Sequence, residues 1–340
     1  MRARGMLWLV AYLSILLAAV RLVGADDVAA VYPELSQSRD RIVCEGCRDG
    51  RWDIYVMNAD GSGLANLTNT ATPDELYPHA SPDGSRICFV AEEGEGEART
   101  RSICIMNADG TGRTKVADRG REACWSPDGT RLAYLNAEFD PFTVQDFATK
   151  GITIYDVATG TSVPHPNATL EHLYNLCWAP GGTWMLSTIH AGMGYSHAIL
   201  AVEAEGTRVI QLPMGGCRPD VSPDGKHVTW VEADQKLSVA DLDLTGDVPV
   251  VTNQRGIVNS PEGTKAYHPD WSPDGRWIAF SRGPEHKNLG PACEMIGVQA
   301  KDWNICVVDP RQPDKWVAIT NDGWSFKEPD WLPGGGKPAR

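Results

Sequence analysis

The chain has 340 residues, 42% hydrophobic and 22% charged, with a formal net charge of −13 at pH 7. That balance is globular and excludes a disordered chain, while the acidity sets it against nucleic acid and anionic membranes as partners. Its 34 Gly, 23 Pro and 12 Trp favour many short strands joined by tight turns over long helices.

The first predicted element is a signal peptide over residues 1–25. Arg2 and Arg4 precede an apolar run from Met6 to Val20, broken only by Ser14, and Val23-Gly24-Ala25 supplies the small residues of a cleavage site. The run is too short to span a bilayer comfortably, which takes about 20 apolar residues. Cleavage after Ala25 removes Arg2, Arg4 and Arg21 and no acid, so the exported chain is more acidic still. A periplasmic or secreted location follows, with no membrane span once the signal is gone. Residues 26–40 form an N-terminal extension. Next comes a lone CxxC, Cys44 and Cys47, with no second pair to complete a zinc site, and a structural role is expected for it.

From Arg41 a repeat governs the sequence. Ser-Pro-Asp-Gly occurs at Ser81, Ser126, Ser222 and Ser272, and degenerate copies stand at Ala179-Pro180-Gly181-Gly182 and Leu332-Pro333-Gly334-Gly335. Successive starts lie about 45, 53, 43, 50 and 60 residues apart, the spacing of propeller blades. Pro presets φ, Asp suits the next turn position, and Gly takes the left-handed angle, so each copy is a hairpin corner. A strand ending in an aromatic precedes most copies (Trp125, Trp178, Trp271, Trp331), an apolar strand follows, and two further strands complete a four-stranded blade. The fold class predicted is all-β, a six-bladed β-propeller over residues 41–335, with 336–340 a tail. The first unit opens at its second strand and the last element, Glu328-Pro329-Asp330-Trp331, is an orphan first strand. The C-terminal strand therefore joins the N-terminal blade and closes the ring, which predicts a monomer.

This repeat, with Ile54-Tyr55-Val56-Met57-Asn58 followed by Ala59-Asp60-Gly61-Ser62-Gly63, resembles the TolB-like, WD-like propeller family, and the match runs from about Arg41 to Gly335. The resemblance implies a binding module rather than a fixed chemistry.

The long connections, Thr68 to Leu76, Asn136 to Lys150, Asn253 to Ala266 and Gly283 to Lys301, fall on one face, and variable loops on a rigid scaffold collect binding sites. The innermost strands enter from that face. Their channel positions hold His79, Glu122, Arg218, Asp220, His268, Asp270, Glu328 and Asp330, the candidates for a protein or carbohydrate ligand. Converging imidazoles and carboxylates also suit a divalent cation, for which His79, His268 and Asp270 are the candidates. A plainer reading has each Asp before Trp hydrogen-bonding the backbone of a neighbouring blade.

No nucleophile elbow, zinc helix, Walker loop or dinucleotide fingerprint is present, and Ser196 and His197, as strand neighbours, point to opposite faces. The alternative function is a metal-dependent lyase. Oligogalacturonide lyases are similar propellers that use channel His residues, a role only His79 and His268 match. Finally, an oxidising compartment admits disulfides. If the loop Glu92 to Thr100 sets Ala91 against Arg101, then Cys88 faces Cys104 and the two can bridge.

Overall fold

The computed structural model describes residues 25–94, 98–138, 145, 147–285 and 302–334. The signal peptide proper, the C-terminal tail and much of the two longest predicted loops lie outside them. Six four-stranded antiparallel sheets make six blades of a propeller. The second blade is typical, with Asp74–Ala80 innermost, then Arg86–Glu93, Thr100–Asn107 and Thr114–Asp118 at the rim.

The repeat shapes each corner as its residue types require. Ser81 Oγ donates to Asp83 Oδ1 at 2.6 Å and accepts the Arg86 N–H at 2.9 Å, while Gly84 sits at φ 69°. The same Ser–Asp bond recurs at 2.6 Å at Ser126, Ser222 and Ser272.

Apolar strands with both faces buried hold the ring together. Ile42 and Cys44 pack against the sixth blade with Val307 and Trp277, whereas Val43 packs toward the second with Ile87 and Phe89. One hydrophobic cluster fills each of the six blade interfaces. Closure runs as the sequence predicts: Ser325–Leu332 pairs with Arg41–Arg48, setting Trp331 opposite Ile42.

The extension before Arg41 is a fastener on that closure. A helix, Ala25–Val31, and a 3-10 turn, Pro33–Gln37, bury Val28, Tyr32 and Leu35 over the seam between the first and sixth blades. The Tyr32 ring meets Trp277 edge-on at 4.7 Å, its hydroxyl donates to the Lys315 carbonyl, and Glu34 pairs with Arg276 at 2.8 Å.

The expected Cys88–Cys104 bridge is not formed. The hairpin is set one residue from the assumed register, with Ala91 opposite Ser102 and Phe89 opposite Cys104. Because side chains alternate along a strand, a one-residue slip sends the two thiols to opposite faces. Cys88 lies in the interface with the third blade and Cys104 in that with the first, and both are free, as are Cys44 and Cys47. Burial pushes the Cys88 and Cys104 thiols up, leaving them small neutral hydrophobes.

Candidate functional site: the turn end of the channel

Every inner strand carries a kink at one level. The register shifts between Leu76 and His79, Tyr174 and Cys177, Cys217 and Asp220, and Tyr267 and Asp270. At that level Tyr77, Asn175, Arg218, His268 and Glu328 have φ between 48° and 53°, a left-handed conformation rare for residues with side chains. Neighbouring blades satisfy the freed N–H groups. Glu45 Oε2 accepts from Tyr77 at 3.0 Å, Thr188 Oγ1 from Arg218 at 2.8 Å, Ser281 Oγ from Glu328 at 3.0 Å, and Glu122 from Asn175.

Beyond the kinks, where the strands run into the repeat turns, the channel widens into a cavity of about 310 Å3. The six turn prolines, Pro82, Pro127, Pro180, Pro223, Pro273 and Pro333, rim it together with Trp125 and Trp178. His79, Asp220, Asp270 and Asp330 line its wall beside Cys124 and Cys177, and Asn175, His268 and Glu328 also reach it. Three of the aspartates staple the ring. Asp220 accepts the Trp271 N–H at 2.8 Å, Asp270 the Trp331 N–H at 2.8 Å, and Asp330 the Ala80 N–H at 2.9 Å, each from the next blade.

The charges sort into two layers. At the kinks Glu328 Oε1 lies 2.8 Å from His268 Nε2 and 3.5 Å from Arg218 Nη1, and Lys327 Nζ lies 3.6 Å from Glu45 Oε1. Burial alone would raise the Glu328 carboxyl, but the His268, Arg218 and Lys327 charges hold it down at about 2. Burial lowers His268 to about 4 and raises Glu45 to about 8. Ser281 Oγ accepts the Glu328 N–H and lies 3.0 Å from His268 Nδ1. In the cavity layer His79 Nδ1 faces Asp330 Oδ2 at 2.8 Å; burial lowers its pKa, but the Asp330 bond outweighs it and the net shift is upward. Burial raises Asp270 well above the carboxylate range, aided by the charges of Asp330 and Asp220, and Asp220 to about 6.

Six of the eight predicted channel residues therefore meet in one cavity, while Glu122 and Arg218 are buried behind it, Arg218 over the Tyr174 ring at 5.7 Å. This cavity lies at the tight-turn end; much of the loop-rich end lies outside the described residues. Arg218 pairs with Glu328 and Lys327 with Glu45 at the kinks, and short Cys, Asp and Pro side chains line the cavity. His79, His268 and Asp270 are not brought together as metal ligands. Each already holds a protein partner, and among the described residues no three His, Cys, Asp or Glu converge as a metal ion needs. Thr188 and Ser281 were invisible to motif reading. Their only signal is a polar residue where other blades have an apolar one, as with Val90 and Val231 at the same position.

No family model matches the sequence. The chain is 25% identical over 274 residues to dipeptidyl-peptidase 5 of Porphyromonas gingivalis, covering 67% of this chain and 40% of that one. It spans no more than 40% of the length of each of the curated relatives named first by similarity. TolB of Acinetobacter baumannii superposes with a TM-score of 0.60 at 16% identity, over 86% of this chain and 67% of TolB. A chain of a nidogen/laminin complex gives 0.57 at 7% identity, covering 87% of this chain and all of that one. The fold is that of the TolB-like six-bladed propellers. No helix among the described residues is long and apolar enough to cross a membrane.

Proposed function

We propose that the chain is an exported binding module that takes a protein or carbohydrate ligand in the cavity at the turn end of its channel. The observation that carries this reading is the preformed cavity itself, walled by polar side chains that six strands and three inter-blade aspartate bonds hold in place. Such a site binds without reorganising, which keeps the cost of association low. The solved nidogen/laminin complex supports a protein as the ligand class, since a propeller of this fold occurs there in a complex. A lyase reading has less support, because no three His, Cys, Asp or Glu converge among the described residues and both ring nitrogens of His268 face protein groups, Ser281 and Glu328.

The immobilised protein, without residues 1–25, is exposed to periplasmic extract and culture medium beside a variant carrying Asp270→Asn and Asp330→Asn. Asn keeps an acceptor for the Trp331 and Ala80 N–H groups, so the ring is expected to fold. A partner retained by the wild type and lost by the variant is the expected result. Equal retention by both sinks the cavity as the site, and metal-dependent release of unsaturated uronides from polygalacturonate sinks the binding reading altogether.

A further inference from the structure

We propose that His190 and His197, at the tip of a hairpin in the fourth blade, form a binding site for a divalent transition-metal ion of the copper, nickel and zinc class. The site is separate from the cavity and does not depend on how the cavity is read.

Strand register brings the two side chains together. Trp184–Gly192 and Tyr195–Glu203 pair as a hairpin that sets His190 directly opposite His197, just before the turn that follows the Gly192 and Tyr195 pair. Directly opposed residues of an antiparallel pair point to one face, so both imidazoles stand on the same side of the blade. His197 is exposed and His190 partly so, which leaves the pair open to an ion from solvent. Their ring centroids lie 5.7 Å apart with the planes at 70°. Two imidazoles on one ion, at about 2.0–2.1 Å for each Zn–N bond, hold their centroids about 4.5–5.5 Å apart, so a small side-chain rotation closes the pair on an ion.

The neighbours brace both rings. The Phe147 ring lies 4.4 Å from that of His190, and the Tyr174 hydroxyl lies 3.0 Å from His197 Nε2. A hydrogen bond on one ring nitrogen fixes the orientation of a ligating imidazole and leaves the other nitrogen for the ion. Burial, and then the charge of His190, hold His197 below its ordinary value, in the neutral form that a metal takes. The third histidine here is already engaged: His172 Nε2 lies 3.2 Å from Glu138 and its Nδ1 2.7 Å from the Ala191 carbonyl. Among the described residues no three His, Cys, Asp or Glu converge, so the protein supplies two ligands and water completes the coordination.

Two neutral nitrogen ligands select the ion. Calcium and magnesium take oxygen ligands and gain little from them, whereas imidazole suits copper, nickel and zinc, with copper first in the order of divalent affinities. The formal net charge of −13 favours the approach of any cation.

Calorimetric titration of the untagged protein, without residues 1–25, tests this with Cu2+, Ni2+ and Zn2+, and with Ca2+ and Mg2+ as controls. Saturable binding of Cu2+ tighter than that of Ni2+ or Zn2+, none of Ca2+ or Mg2+ at this pair, and a loss of about tenfold or more in Cu2+ affinity in both His190→Gln and His197→Gln are expected. His227→Gln, at a surface histidine of the fifth blade, is expected to bind Cu2+ as the wild type does. Circular dichroism checks that the variants fold. Pulsed electron paramagnetic resonance of the Cu2+ form reads the ligands in the wild type itself, with nitrogen couplings from two imidazoles expected. Cu2+ affinity unchanged in both His190→Gln and His197→Gln, Ca2+ bound as tightly as Cu2+, or couplings from fewer than two imidazoles overturns the proposal.

Discussion

Glu328 is the residue on which most of the buried charge turns. Its ordinary value is 4.5 and the His268, Arg218 and Lys327 charges bring it to about 2 against burial, so its contribution to stability is full above 4.5 and is lost as pH falls toward 2. His268 acts in the same sense. Lowered by burial from 6.5 to about 4, it stays neutral in the fold while the unfolded chain takes up a proton, so stability is lost between those values as pH falls. Glu45 opposes it, since an acid raised from 4.5 to about 8 favours the fold less as pH rises through that interval. Between 4.5 and 6.5 the two offset each other, and below 4.5 only the losses remain. The melting temperature followed by circular dichroism is expected to fall steeply below pH 4.5 in the wild type. Glu328→Gln lowers the melting temperature at pH 7, because Arg218 loses its counter-charge, and flattens the acid limb. An unchanged acid limb in that variant contradicts the assignment.

At the scale of the element, the kinked inner strand separates a filled layer of the channel from an open one. Each left-handed residue costs on the order of 1–3 kcal/mol of backbone strain, which the surrounding blades must over-determine. The determination is visible in the side chains of the preceding blade: Thr188 on Trp184–Gly192 holds the Arg218 N–H, and Ser281 on Ile278–Pro284 holds the Glu328 N–H. Thr188→Val keeps the shape and orphans a buried donor, so a loss of about 1–3 kcal/mol is expected from urea unfolding at pH 7. Ser281→Ala is expected to cost a similar amount and, by freeing His268 Nδ1, to change the pH dependence as well. A Thr188→Val variant as stable as the wild type removes the cap from the account.

For the whole molecule, stability depends on closing the ring. The inner strand of the first blade comes from the far end of the chain, so six interfaces form only when Ser325–Leu332 docks on Arg41–Arg48. Deleting residues 326–340 is expected to abolish the cooperative melting transition, since it removes Phe326, Trp331 and Leu332 from two interface clusters and exposes the edge of Arg41–Arg48. A truncated chain that melts like the full-length one refutes closure as the organising step. The extension bears on the same seam through Tyr32 and Glu34, outside the repeat.

What the sequence by itself determined was whatever local chemistry repeats: the turn at each Ser-Pro-Asp-Gly, the apolar strand after it, the number of blades from their spacing, and closure from the orphan Glu328-Pro329-Asp330-Trp331. The aspartates before Trp were also legible as inter-blade staples, because a buried carboxylate needs a donor and the repeat supplies one. Tertiary structure alone decided the rest. The hairpin register put Cys88 and Cys104 on opposite faces, since loop length does not fix pairing to a single residue. The kinks at Tyr77, Asn175, Arg218 and Glu328, each held by a residue of another blade, decided where the paired charges give way to the cavity. Those choices depend on contacts between segments tens of residues apart, and no local pattern encodes such contacts.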